Sequence, residues 1–354
     1  MAATAQAVTV IRPTFTVGGQ ERAALASGLL GLSIWEQIDG LYRCEATFGN
    51  WGEVRNKLDY LYFDRTTLDF GKAFVVKLGS DVLFDGAVTA IEGQFPAGRS
   101  AEVTVLAEDR LQDLRMTRRT RTFANVSDAD VMRQIASDHG LTPTIDVPGQ
   151  TYKVLAQVNQ SDLAFLRERA RAVDAELWMQ AGALNAKTRS GRTGAAVKLA
   201  LGVELFSFSA LADLAHQRTG VSVNGWDVSN KSAIAHDATE SSISGELEGA
   251  TSGASILQSA FGARKDALAH RVPLTAGEAQ ASAEAAFKLR ARRFVTARGV
   301  AQGSAALKVG ATVDVQGVGP LFNGKYYLSD VRHLFDGSGL RTEFVGERPG
   351  LGKP

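Results

Sequence analysis

The chain has 354 residues, of which 39 are basic and 38 acidic, giving a formal net charge of +1. That length holds two or three domains with substantial cores, and the cancelled charge argues against a protein living on phosphate contacts. A single cysteine, Cys44, leaves no intrachain disulfide and no cysteine zinc site, and no apolar run is long enough to span a bilayer.

The amino end, "MAATAQAVTV", has no charged segment leading into an apolar one, so no secretory leader is expected and the origin reads as cytoplasmic. The first hundred residues then read as strands. In "LYRCEATF", Tyr42, Cys44, Ala46 and Phe48 alternate with Arg43, Glu45 and Thr47, the period of a half-buried antiparallel strand. "AFVVKLG", the stretch around "FDGAVTAIEG", and "AEVTVLAED" continue the alternation, with Gly-rich turns between them, which predicts a sandwich or barrel.

Near Asn125 the period changes. Ser127 followed by Asp130 predicts a capped helix start, Val131 and Ile135 form its apolar stripe, and Gly140 its stop. A second helix is expected from Ser161, with Leu163, Leu166, Ala170 and Val173 on one face. "AELWMQAGAL" follows as strand and turn. Strands return at "AVKLAL", "VELFSFS" and "VSVNGWDV". The Ser/Gly-rich stretch at about 229–262 has little periodicity and reads as a long extended or mobile connection. Thr275 with Glu278 opens a helix over about 276–293, acidic early and basic late. "ATVDVQG", "KYYLSDVRHLF" and "LRTEFVGE" close the chain as strands. The expected division is a first β-barrel at 1–115, an α+β insertion at 116–195, and a second β-barrel at 196–354.

One phrase occurs twice. "LFDG" (Phe84, Asp85, Gly86) is echoed by "LFNG" (Phe322, Asn323, Gly324), and Asp-Gly and Asn-Gly are the commonest two-residue hairpin turns. The flanks agree as well: a strand ahead of each phrase, then a strand, a Gly-containing turn and a second alternating strand ending in acid. Agreement over almost forty residues predicts an internal duplication, with both phrases at the same hairpin corner of two related barrels. A chain with two similar units acts as two subunits, so three chains would present six.

The stretch from "VTAIEGQFPAGRSAEV" through "SDADVMRQIASDHGL" resembles the late control gene D family of contractile-tailed phages. "QVNQSDLAFLRERARAVDAELW", the "LTAGEAQASAEA" helix and "GVGPLFNGKYYLSDVRHLF" resemble it too. That family includes the N-terminal part of VgrG spikes and the hubs of extracellular contractile injection systems. The resemblance runs over roughly residues 30–350 and is most specific at 109–141 and 157–178. It implies a structural baseplate hub and no enzyme. Such a hub is a homotrimer of two tube-protein-like barrels per chain, a symmetry adaptor between a trimeric spike and a hexameric inner tube or tube initiator, among other baseplate components. VgrG-type spikes continue into further domains after the region where "TEFVGERPGLGKP" stands, so the spike is expected as a separate polypeptide. The implied place is a particle assembled in the cytoplasm, as phage tail or non-viral injection system; the sequence does not separate the two.

Arg115, Arg118, Arg119 and Arg121 are the interface candidates, their forks suited to carboxylates on a neighbour. If extended, the segment puts Arg115, Arg119 and Arg121 on one face and Arg118 on the other. The bland alternative is a solvated strand balanced by Glu108, Asp109 and Asp113. Nucleic acid is disfavoured because no aromatics are interleaved, although a mildly basic channel lining for passing DNA stays open. The five histidines make no ligand spacing, so no metal and no cofactor is expected. His139 reads as a helix C-terminal residue and Cys44 as a buried inert thiol. The alternative from another class is a cell-wall hydrolase with Asp109 and Asp113 as acid and base, which no further residue supports.

Overall fold

The computed structural model describes residues 12–228, 230–270 and 272–353; the leader reading of the first ten residues lies outside them. The fold is mainly β, and the alternation seen in sequence drives it: in Arg43–Gly49, Cys44, Ala46 and Phe48 are buried while Arg43 and Glu45 face solvent. One large sheet dominates. In spatial order it runs Leu205–Ala212, Val295–Gln302, Gly339–Arg348, Gly324–Asp336, Leu29–Gln37, Arg43–Gly49, Glu102–Glu108, Asp81–Gln94, Ala73–Leu78, Thr14–Val17 and Gln20–Glu21. Thr312–Gln316 adds to Gly324–Asp336, and Ala196–Ala200 lies parallel on Thr312–Gln316.

The middle of this sheet is a seam between early and late sequence. Leu29–Gln37 pairs antiparallel with Gly324–Asp336, in register from Gln37 opposite Asp330 to Leu32 opposite Phe335. On either side of the seam the same order of strands recurs. Leu29–Gln37 pairs Arg43–Gly49 with a bulge at Leu30, and Leu205–Ala212 pairs Val295–Gln302 with a bulge at Phe206. Arg43–Gly49 then pairs Glu102–Glu108 as Val295–Gln302 pairs Gly339–Arg348. Glu102–Glu108 pairs Asp81–Gln94 with a bulge at Thr89, and Gly339–Arg348 pairs Gly324–Asp336 with a bulge at Ser329. Followed through every pairing, the registers bring Ile34 to the place of Ala210, Cys44 to Ala297, Ala107 to Gly346, Val88 to Leu328 and Phe74 to Val313. The outermost strands differ: Thr14–Val17 joins Ala73–Leu78 antiparallel, where Ala196–Ala200 joins its partner in parallel.

Those registers correct the reading of the repeated phrase. Phe84, Asp85 and Gly86 stand inside the strand Asp81–Gln94, opposite Val76, Val75 and Phe74, and the hairpin turn falls earlier, at Gly79 and Ser80. Phe322 and Asn323 do occupy a turn, and Gly324 begins its strand at φ +120. By register Gly86 corresponds to Tyr326, and Gly324 to Phe84, so the two phrases are slipped by two residues. Gly86 is glycine for closeness, since a Cβ there would lie 2.2 Å from the Glu108 carbonyl oxygen.

Four apolar clusters form under these elements. The first, around Phe15, Phe48, Phe74 and Val105, takes Phe335 and Ala305 from the late sequence. The second belongs to the insertion and includes Leu111 and Leu114 of the short helix Leu111–Arg115, ahead of the expected boundary at 116. Its helices start as expected: Ser127 caps Asp128–Asp138 with a full capping box, Ser161 caps Asp162–Ala172, and Gly140 takes φ +63 after the first. The third cluster surrounds Tyr326 and Phe294. The fourth corrects the Ser/Gly-rich connection, which is built rather than extended. Ser232–Ala238 pairs along Gly220–Asp227, Glu240–Glu246 forms a 3₁₀ turn with Ile243 buried, and Gly253–Phe261 is a helix; Ser229 lies outside the described residues. Small side chains suit this packing, because Ala279, Ala283 and Phe287 of the helix Ala276–Arg292 come close to Val221, Val223 and Ile234.

Candidate assembly interface

The face of the large sheet turned away from its cores is polar. Cross-strand neighbours line up across the seam as Val300, Glu343, Arg332, Trp35, Arg43 and Glu108. Trp35 stands between two arginines, and each arginine has a carboxylate on its other side, Glu343 beside Arg332 and Glu108 beside Arg43, which supports pairing along a sheet. The Arg332 guanidinium lies 4.9 Å from the Trp35 ring centre, 3.3 Å from the Ser33 hydroxyl and 3.8 Å from Glu343. A hollow of about 480 Å³ opens on this face, lined among others by Trp35, Ser209, Arg298, Asp330, Arg332 and Glu343.

The four arginines singled out from sequence are placed differently from that expectation. Arg115 ends a short helix and pairs with Glu108, so it shares no strand face with Arg119 and Arg121. Arg118 donates to the Asn159 carbonyl at 2.8 Å. Arg119 and Arg121, separated by a register shift in Arg118–Val126, both reach Asp162, at 3.1 and 2.8 Å. Arg121 also contacts Asp138 at 3.0 Å and lies over the Phe123 ring. Carboxylates of the same chain therefore meet Arg115, Arg119 and Arg121, and a backbone carbonyl meets Arg118, where the sequence reading placed carboxylates of a neighbour.

Asp162 is the residue that reading missed. It follows the Ser161 cap and looks like an ordinary first-turn acid, but it also accepts from Gln157 and from the His139 Nε2 at 2.9 Å. Burial pushes its pKa up; the bonds from His139 and Gln157 and the charges of Arg121 and Arg119 outweigh this and hold it below the usual range. His139 caps its helix as expected and its Nδ1 meets Asp113. Burial lowers its pKa, but the two carboxylates raise it overall. Asp113 is thus committed to His139. Asp109 instead accepts from the backbone N–H groups of Tyr42 and Leu111, so the two make no acid/base pair.

A second group of ions, also unforeseen, ties the insertion to both sides of the seam. Glu176 receives Arg189 and Arg192 at 3.0 Å each, Arg189 reaches on to Glu347, and Arg192 donates to the Tyr42 hydroxyl and the Val309 carbonyl. Their rings and guanidinia stack, Arg189 on Tyr327 and Arg192 on Trp178. Glu36 is fully buried beside them and accepts from the Val309 N–H at 2.9 Å; burial pushes it up to about 7. Cys44 is buried as read, and burial raises its thiol pKa. Among the described residues no three His, Cys, Asp or Glu side chains stand together as a metal site, and no helix is long and apolar enough to cross a membrane.

The chain is mainly β, with a small α+β insertion and one sheet built from both its ends. The chain belongs to the Alg8 N-terminal domain family, whose model matches residues 55–336. No curated protein matches it in sequence. Among solved structures it is similar to the 43 kDa tail protein of prophage MuSo2 from Shewanella oneidensis, with a TM-score of 0.72 at 14% identity over 96% of this chain and 98% of that one. The tail protein of Neisseria meningitidis MC58 gives 0.69 at 11% identity, over 96% and 97%. An E. coli component of the type VI secretion system, described as similar to the bacteriophage T4 tail proteins gp27 and gp5, gives 0.60 at 12%, over 92% and 76%. At these identities the likeness is one of fold.

Proposed function

We propose that the chain is the structural hub of a contractile tail-like particle: a homotrimer that adapts a separate trimeric spike to a hexameric inner tube or tube initiator. The observation that carries this reading is the recurrence of strand order, pairing and both bulges on the two sides of the seam. It supports two tube-protein-like barrels arisen by duplication, slipped by two residues from the alignment of "LFDG" with "LFNG". Two like units per chain give six in a trimer, which is the count needed to meet a sixfold tube. The division that accompanies it is an early barrel, an insertion beginning with the helix Leu111–Arg115, and a late barrel carrying the lobe around the helix Ala276–Arg292. Phage tail and type VI secretion neighbours agree with assembly into such a particle, made in the cytoplasm.

The role is structural rather than catalytic. The mixed charge of the polar sheet face disfavours a nucleic-acid partner, since carboxylates such as Glu343 and Asp330 stand beside Arg332. Mass photometry of the purified chain tests the reading: a species of three times 37.7 kDa is expected. A chain that stays monomeric at every concentration, with its spike partner present, overturns it.

A further inference from the structure

The seam inside the chain has a counterpart that is left open. Gly324–Asp336 uses its first residues to hold Thr312–Gln316 and its later ones, 330–335, to hold Leu29–Gln37. Asp81–Gln94 likewise holds Ala73–Leu78 with its first residues. Its later ones, 90–94, carry Glu102–Glu108 on one side and, among the described residues, no strand on the other. Leu205–Ala212, which by register stands where Leu29–Gln37 stands, is the terminal strand of the sheet and, among the described residues, carries no strand on its outer edge beyond a single bridge from Leu205 to Leu201. A bare row of backbone donors and acceptors is a template for another strand.

Burial follows the same division. In the closed seam Val331, His333 and Phe335 are 0%, 1% and 5% exposed. At the matching places Ile91 is half-buried, Gly93 is exposed and Phe95 is 64% exposed. Leu211, which matches Trp35, is 61% exposed. These are apolar side chains placed as in a joint, without the joint.

We infer that the open edges close on a second copy of this chain, residues 90–95 of one copy pairing antiparallel with 208–213 of the next in the register of the internal seam. Carrying Asp330–Gln37 through Phe335–Leu32 across the correspondence sets Ala90 opposite Asp213, Glu92 opposite Leu211, Gln94 opposite Ser209 and Phe95 opposite Phe208. Each chain offers one of each edge, so the contact is head-to-tail and generates a ring. The inference rests on the trimeric reading and adds to it which strands meet and in which register. The polar undersides differ: Glu36 and His333 of the internal seam correspond to Ala212 and Gly93.

Directly opposite residues in an antiparallel pair fall within disulfide reach, and Cys44, the one native thiol, is buried. In a chain carrying both Gln94→Cys and Ser209→Cys, oxidation should give a covalent trimer on a non-reducing gel. Gln94→Cys with Ala210→Cys, one residue out of register and on the opposite face, should give several-fold less. Phe95 packs its ring on Tyr60 and Phe63 of its own chain, so the joint is broken instead at Leu211, which is 61% exposed in the single chain. Leu211→Asp should keep the wild-type melting temperature and lose the trimer. If the in-register pair fails to cross-link while mass photometry shows the same protein as a trimer, the joint is wrong and the trimer stands. A trimer that survives Leu211→Asp at nanomolar concentration also overturns the joint. A monomeric wild type overturns both readings.

Discussion

Glu36 shows how burial sets a residue's behaviour here. Its carboxyl has one backbone partner, the Val309 N–H, and lies beneath the seam with Lys308 and Arg192 favouring its charge and Asp109 opposing it. Loss of water dominates, and the group titrates near 7 in the folded chain against 4.5 in the unfolded one. The folded state therefore keeps a proton that the unfolded state releases. Its stabilising share is full below pH 4.5 and is lost as pH rises through 7. Glu36→Gln keeps an oxygen for Val309 and removes the titration. At pH 8 it should raise stability by up to about 3 kcal/mol, the shift converted at 1.36 kcal/mol per pKa unit, and at pH 4 it should change little. Urea melts at both values check this, and equal effects at the two would refute it. Alternation in sequence could place Glu36 on its strand but not identify the neighbours that bury it. Arg119 makes the same point. Its charge was legible, yet its partner Asp162 is 43 residues away, so Arg119→Glu sets two carboxylates together and strains the fold before it touches any assembly.

Elements were read well where their signals are local. Ser127, Ser161 and Thr275 each accept from the backbone N–H three residues on, and that spacing is written in the chain. Within the late lobe the stretch at about 229–262 was misread because its composition is small and polar, while its order comes from what lies opposite. The helix Ala276–Arg292 presses alanines on two strands and ends in Arg292, which is 4% exposed and held between Asp174 and Glu246. That fork joins the lobe to the insertion, with the Glu246 contact at 2.6 Å. Arg292→Ala removes the fork between two carboxylates and leaves Lys288, 3.7 Å from Asp174, as the nearby cation. It should cost about 3–5 kcal/mol, as breaking a buried ion pair does. Arg292→Lys should recover only part, because a point charge cannot bond both acids as a fork does. Thermal melts of the two variants decide this; equal melting temperatures for Lys and wild type would show that charge alone suffices. Asp-Gly at 85–86 was misread for the opposite reason: the dipeptide signal was strong, but the backbone needed glycine to approach Glu108 inside a strand.

At the scale of the molecule the two ends of the chain share one sheet, and this no window of sequence could reveal, since strand pairing carries no local code for a partner some three hundred residues away. The sharing makes a thermodynamic demand. Phe335 comes from the late half, pairs opposite Leu32 and packs into the core around Phe15 and Phe48 of the early half, with Leu340 beside it. If the halves were separate domains, a cavity there would weaken the early one alone. With the seam strands hydrogen-bonded through the middle of a continuous sheet, unpairing either half bares the edge of the other, so the two should unfold together. Phe335→Ala should cost about 3–5 kcal/mol. Trp51 stands on the early side and Trp226 in the late lobe, so variants keeping one or the other as sole tryptophan report the two regions separately. The Phe335→Ala change should move both denaturation midpoints down by the same amount; a shift at Trp51 with none at Trp226 would mean the halves are held side by side without being one cooperative unit.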